Sequence, residues 1–191
     1  VERYLASLPS TGRVETWRDD GVRHVEGVVV DTVYAGIEPQ SQTRMYFTGP
    51  FEYEQHERIV IRGMALVLQN RLRDVLREEL GGTYGVSVSG SYTWQPTVGY
   101  TMTINFGSDP ERAEELAAAV FVEIERLKEA PPEESEVADV RENFARTHET
   151  NLESNAYWMR EIGVRYAQGV DPLTFLTYPD SIQALTVVEI Q

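Results

Sequence analysis

The chain has 191 residues, 41% of them hydrophobic, with 17 Lys and Arg against 31 Asp and Glu for a formal net charge of −14. That balance fits a globular chain and argues against nucleic acid as a partner, because binding it needs a basic footprint. Cysteine is absent, which excludes disulfides and thiolate chemistry, and no apolar run approaches the roughly 20 residues that span a bilayer.

The opening "VERYLASLPSTG" has neither a basic start nor an apolar core, so it is not a signal peptide. It reads as the last turns of a helix running into a Pro/Ser/Gly turn, and residues 1–26 read as the tail of a preceding element and a linker. "GVVVDTV" (27–33) is short and β-branched, a predicted strand. "TRMYFTGP" (43–50) alternates and stops at Gly49-Pro50, a second strand. From Tyr53 to Leu80 apolar residues recur every three to four positions, which predicts a long helix with one buried stripe. Gly81-Gly82 caps it, since glycine takes the left-handed cap conformation without penalty.

Beyond the cap, Tyr84, Val86, Val88, Tyr92 and Trp94 alternate with Gly85, Ser87, Ser89, Ser91 and Thr93. After the "QPTVG" turn, Tyr100, Met102, Ile104 and Phe106 alternate with Thr101, Thr103 and Asn105. This pattern predicts a hairpin of two long antiparallel strands with one apolar face. "GSDPE" starts a helix capped by Asp109 with Pro110 at the first helical position, or by a box of Ser108 and Glu111. Its stripe runs from Ala113 through Leu116, Val120 and Phe121 to Leu127. "EAPPEE" ends it and opens further helices to Gly169, and "DPLTFL" begins another. Residues 111–154 hold 13 Asp and Glu against 5 Lys and Arg, which reads as solvated helix faces or as a field that steers basic substrates. "ALTVVEIQ" stops as an element begins, so 27–191 reads as one domain truncated at its end.

The predicted order is β-β-α-β-β-α-α-α without βαβ alternation. It predicts an α+β fold, a mainly antiparallel sheet with helices packed on one face. Strands are expected near 28–33, 43–48, 84–94 and 99–106, with Val86, Val88, Met102, Ile104, Leu68 and Phe121 in the shared core.

Chemistry is sparse. His24, His56 and His148 lie at least 32 residues apart, with no H-E-x-x-H and no H-x-x-E-H, so they read as surface or half-buried side chains. No G-x-S-x-G occurs, and "GGTYG" precedes a strand, the wrong order for a phosphate loop. Composition and spacing alone give an α+β domain without its own catalytic equipment.

"RLRDVLREELGGTYGVSVSGSY" and the segment from "GYTMTINFGSDPERAEEL" to "ETNLESNAYWMREIGVRYAQGVDP" resemble the C-terminal domain of the pitrilysin/insulinase family of zinc metallopeptidases, in its PqqL-like bacterial branch. "LREELGGTYGVSV" is the specific part, and the resemblance covers most of the chain. It implies a chamber made of paired homologous domains, one carrying H-x-x-E-H and its zinc, the other supplying an Arg and a Tyr seven residues apart. Arg77 and Tyr84 match that pattern. The implied roles are substrate binding for both and catalytic stabilisation of the tetrahedral intermediate for Tyr84. The implied partners are a zinc-binding half, in the same longer chain or another subunit, and a peptide substrate, with no cofactor in this segment and a bacterial periplasmic or cell-envelope location. Two other readings stay open: a silent chamber-forming scaffold, and an interaction domain. In either, Arg77 serves its helix end through the macrodipole and carbonyl hydrogen bonds, and Tyr84 packs with Val86 and Val88. If the pair is functional, Tyr84 is expected to reach a cleft at the end of its strand, with Arg77 near the same surface.

Overall fold

The computed structural model describes every residue except 1, 2, 5, 6, 10 and 15, and the side chain of Tyr84. The helical lead-in expected at the start falls largely on positions outside the described residues. Val1–Asp31 and Thr32–Gln191 form two compact units. In the first, the Asp19 carboxylate accepts from Gly21 N at 2.9 Å and from the Arg23 guanidinium at 2.9 and 2.5 Å. The strand expected at 27–33 is not formed. The segment joins no ladder, and Val28, Val29, Val30 and Val33 are exposed. β-Branched residues favour a pleated, half-buried surface, and among the described residues no strand pairs with this segment to supply one.

In the second unit β1 (Ser41–Gly49), β2 (Thr83–Thr93) and β3 (Gly99–Ser108) form an antiparallel sheet in the order β1-β3-β2. β2 and β3 are the expected hairpin. The register sets Met45, Ile104 and Val88 in one row and Phe47, Met102 and Gly90 in the next. These rows carry the apolar face, and the alternate Ser, Thr and Asn residues carry the other.

Helix α1 (Gln55–Arg73) lies on the apolar face and runs into a wider π-helical stretch, Asp74–Glu79. A 3-10 turn at Pro110–Arg112 leads into α2 (Ala113–Glu129), followed by α3 (Glu134–Leu152) and α4 (Asn155–Gln168). Asp109 caps the turn by accepting from Glu111 N at 2.9 Å, the first of the two caps anticipated. A second 3-10 stretch, Pro172–Thr177, and the short helices α5 (Tyr178–Gln183) and α6 (Val187–Ile190) complete the unit. The α+β class expected from the sequence is the fold observed.

Two expectations about packing need correction. Helix α1 has two buried stripes, not one. Ile61, Ala65, Leu68 and Leu72, with Leu76 beyond, pack with Val88, Met102, Ile104 and Phe106 of the sheet and with Leu116 and Val120 of α2. Ile59 and Val67 pack with Val137, Val140 and Phe144 of α3 and with Ile182, Leu185 and Ile190 at the C-terminal end. Phe121 is the second correction. It is 51% exposed and meets only the flank of the core, edge to face with Phe47 at 6.0 Å. One helical position past Val120, it is rotated off the buried stripe, over β1, an edge strand of this sheet.

Polar latches join the layers. Arg71 of α1 donates to both carboxylate oxygens of Glu136 on α3, at 2.8 and 2.7 Å. Its third nitrogen lies 3.5 Å from Glu123, a carboxylate buried on α2 that also pairs with Arg126 at 3.1 Å. A buried charge is tolerable only when paired in this way.

At Gly90 the sheet and α1 come so close that a Cβ would stand 2.6 Å from the backbone oxygen of Ile61. Gly90→Ala is therefore expected to lower the free energy of unfolding by about 1–3 kcal/mol, the usual penalty of overpacking. A urea titration monitored by circular dichroism reads the change in midpoint.

Candidate functional site

The chain reverses between α1 and β2, and Arg77 and Tyr84 flank that reversal. The last helical turns widen to i→i−5 pairing, with Leu80 N donating to Val75 O at 3.0 Å. Gly81 N then donates to Arg77 O at 3.1 Å and Gly82 N to Leu76 O at 3.0 Å. Gly81 holds φ at +58°, in the left-handed region, which glycine occupies at no steric cost. A π-widened turn adds a residue without ending the helix, and such turns recur at functional sites.

Arg77 projects from this widened turn and its side chain is 56% exposed. Its ion-pair partner among the described residues is its neighbour Glu78, at 3.6 Å, an exposed contact of small energetic consequence. The helix-end carbonyls are served by another residue. Arg112, at the start of α2, donates from Nη1 to Leu80 O at 3.1 Å and is itself held by Glu115 at 2.9 and 2.8 Å. Arg112 thus caps Leu80 O, and the amides of Gly81 and Gly82 cap the carbonyls of Arg77 and Leu76.

Tyr84 enters β2 at an irregularity. Thr83 pairs with Ser108 while Val86 pairs with Phe106, so three steps along β2 match two along β3. This is a β-bulge at Tyr84-Gly85. Thr83 Oγ1 pins it, donating to Gly107 O at 2.6 Å and accepting from Gly85 N at 3.1 Å. The strict alternation that put Tyr84 on the same face as Val86 and Val88 does not extend through a bulge. The expectation that the Tyr84 hydroxyl reaches a cleft concerns a side chain outside the described residues.

The histidines sit apart. His56 meets Glu189 at 2.7 Å, joining α1 to α6. His148 is buried rather than half-exposed, with Nδ1 3.0 Å from the Tyr157 hydroxyl and its ring 5.4 Å from that of Phe175. Burial pushes its pKa down, and the nearby carboxylates of Glu161 and Glu149 pull it part of the way back. Among the described residues no group of three or more His, Asp or Glu is placed to hold a metal ion, so these residues do not fit a zinc site. Nor is any helix among them long and apolar enough to cross a membrane.

Comparison with known proteins gives a consistent picture. A family profile described as the peptidase M16 inactive domain matches residues 1–144. The Haemophilus influenzae protein named "Probable zinc protease PqqL" is 28% identical over 124 residues, which is 61% of this chain and 12% of that protein. The chain thus spans about an eighth of that relative's length. The crystal structure of the periplasmic protease PqqL from Escherichia coli superposes with a TM-score of 0.67 at 23% identity, over 80% of this chain and 17% of that one. A peptidase M16 inactive domain from Pseudomonas fluorescens does so with a TM-score of 0.66 at 20% identity, over 79% of this chain and 36% of that one. At these identities the structural likeness shows the fold alone.

Two outcomes follow from the geometry. Arg112→Ala removes the external cap of the reversal, so amide exchange at Gly81 and Gly82 should accelerate while amides in the middle of α1 keep their protection. Hydrogen-exchange mass spectrometry distinguishes this from a global loss of stability. For His148 the folded pKa lies below the unfolded value of 6.5. Its contribution to stability is then complete above about pH 6.5 and is lost as the pH falls below that, because the unfolded chain takes up the proton first. His148→Gln should flatten this limb of the stability profile between pH 8 and 5, measured as urea midpoints.

Proposed function

The chain belongs to the family of peptidase M16 inactive domains, and on that premise we propose that it is the non-metal half of a zinc-dependent peptidase, lending Arg77 and Tyr84 to a site completed by a separate zinc-binding half. The supporting observation is that Arg77 stands exposed on a turn whose last carbonyl, Leu80 O, is capped by Arg112 and not by Arg77. A guanidinium placed there is a permanent planar donor that can hold a substrate carbonyl beside the cleaved bond. Tyr84 supplies a phenol, neutral at pH 7 with a reference pKa of about 10, to donate to the scissile oxygen as it becomes tetrahedral. The bulge at Tyr84-Gly85 is the kind of irregularity that re-aims a side chain beside a site.

The zinc of the proposed enzyme belongs to the other half, in the same longer chain or another subunit. The substrate is a peptide, and the E. coli structure of a periplasmic protease supports a periplasmic or cell-envelope location. The chain alone should neither retain stoichiometric zinc after dialysis nor hydrolyse peptides.

Kinetics of the longer protein test the assignment. A phenol that donates only as charge develops acts on the transition state, so Tyr84→Phe should lower kcat about 10²–10³-fold, roughly 2.7–4 kcal/mol, with little change in KM or melting temperature. Arg77→Ala should raise KM as well, because a residue holding the substrate backbone also stabilises the ground state. A stable Tyr84→Phe enzyme with unchanged kcat would overturn the assignment and leave a chamber-forming scaffold.

A further inference from the structure

Far from the Arg77 turn, near the N-terminal end of α1, four guanidinium groups line one small cavity. Arg58 and Arg62 come from α1, one turn apart, and Arg160 and Arg165 from α4. From Arg62 to Arg73 alone α1 rises about 16 Å at 1.5 Å per residue, and Arg77 lies beyond it, so this is a separate place on the molecule. The cavity measures about 100 Å3, well above the roughly 10–15 Å3 that one water needs.

Its charge balance is the reverse of the chain's. The chain carries a net charge of −14, yet the cavity collects four arginines against the single carboxylate of Glu161. That carboxylate is already engaged. Buried Arg165 binds it at 2.9 Å and satisfies its other nitrogens on Thr174 at 3.1 Å and Gln55 at 2.9 Å. Arg160 shares the same carboxylate at 3.3 Å. Arg58 and Arg62 have no carboxylate partner among the described residues.

What holds them is aromatic. Arg62 lies over the Phe144 ring at 4.9 Å and donates one bond, to the Tyr178 hydroxyl at 3.2 Å. Arg58 lies over Tyr53 at 5.1 Å and Tyr92 at 5.6 Å and donates one bond, to Glu54 O at 3.3 Å. A guanidinium has five N–H donors, so each keeps four in reserve. No side-chain nitrogen or oxygen among the described residues is buried without a partner, so the unpartnered nitrogens of both groups stay accessible. The charges of both also act on the tyrosines that line the cavity. Burial raises the Tyr92 pKa, against which Arg58 and Arg62 pull, and it pushes Tyr157 up to about 12, against the pull of Arg160 and Arg62.

We propose that this cavity binds a compact oxyanion, a carboxylate or phosphate group, gripped by the Arg58 and Arg62 guanidiniums with the Tyr178 hydroxyl beside them. Planar guanidinium forks match the two-oxygen edge of either group through charge-assisted hydrogen bonds. The site does not depend on the role proposed for Arg77 and Tyr84.

Calorimetric titration of the 191-residue chain with inorganic phosphate, and separately with succinate, tests it. At least one probe should bind saturably at one site, more weakly as salt rises. Phosphate alone identifies a phosphorylated ligand, succinate alone a carboxylate ligand, and both the shared oxyanion chemistry. Arg58→Gln combined with Arg62→Gln should weaken binding about tenfold or more, the loss expected for charge-assisted hydrogen bonds. Arg146→Gln, an exposed arginine on α3 paired with Glu142, should leave it unchanged. Should the double Gln variant fail to fold, the double Lys variant keeps both charges without the forks and should still bind more weakly than the parent. Absence of saturable binding by either probe overturns the proposal, as does binding undiminished in the folded double variant.

Discussion

The burial of α1 on two opposite sides is the constraint from which the rest of this unit follows. One stripe, Ile61 to Leu76, closes the sheet, and the other, with Ile59 and Val67, seats α3, α5 and α6. A side chain of this kind contributes roughly 1.5–3 kcal/mol when fully buried, so neither layer can be removed without exposing the helix that the other needs. Gly90 sets the approach on the sheet side, and Arg71 fixes the rotation of α1 by reaching α3 and α2 together. A helix held on both sides leaves only its ends free to carry chemistry.

At the C-terminal end that freedom is used within a narrow allowance. Leu72 and Leu76 are fully buried against the sheet, so the chain must stay helical through both and still reverse into β2 a few residues later. The π-widened turn, the left-handed Gly81 and the bulge at Tyr84-Gly85 are successive solutions to that one geometric demand. Arg77, next to buried Leu76, points away from that stripe and is exposed. A site placed between two packed elements, and not on a long loop, holds its residues more precisely.

Much of this was legible in the sequence because period and burial agree. The 3.6 repeat in 53–80 and the alternation in 84–94 and 99–106 are read directly from apolar residues, and the glycine cap from Gly81. Where the reading failed, the deciding information is tertiary. The valines of 27–33 have strand propensity but no partner strand among the described residues, and Phe121 is apolar but sits over an edge. The apolar pairs along α1, such as Val67-Leu68, are adjacent in sequence and so point about 100° apart. They hold the evidence for a second stripe, yet they pass equally well for one broad face. Nothing local announces the bulge, the Arg112 cap or the meeting of Arg58 and Arg62 with α4, because each joins residues far apart in the chain. Arg77 and Tyr84 were singled out by spacing and family resemblance, and composition alone would have passed over them.

The family's description contains the word inactive, and a fold by itself fixes no activity. The described residues offer no metal cluster, but a metal is one contribution to peptide hydrolysis among several. Orientation of the substrate backbone and donors aimed at the developing oxyanion count in the same free energy. Such groups act best when they need no reorganisation at the moment of reaction. That requirement ties the proposed site to the packing of the unit: a shift of α1 along β2 would move Arg77 and leave the backbone of Tyr84 in place. The close contact at Gly90 and the Arg112 cap oppose that shift from opposite ends of the shared interface. The stability of the unit and the placement of Arg77 relative to the Tyr84 backbone thus rest on the same contacts.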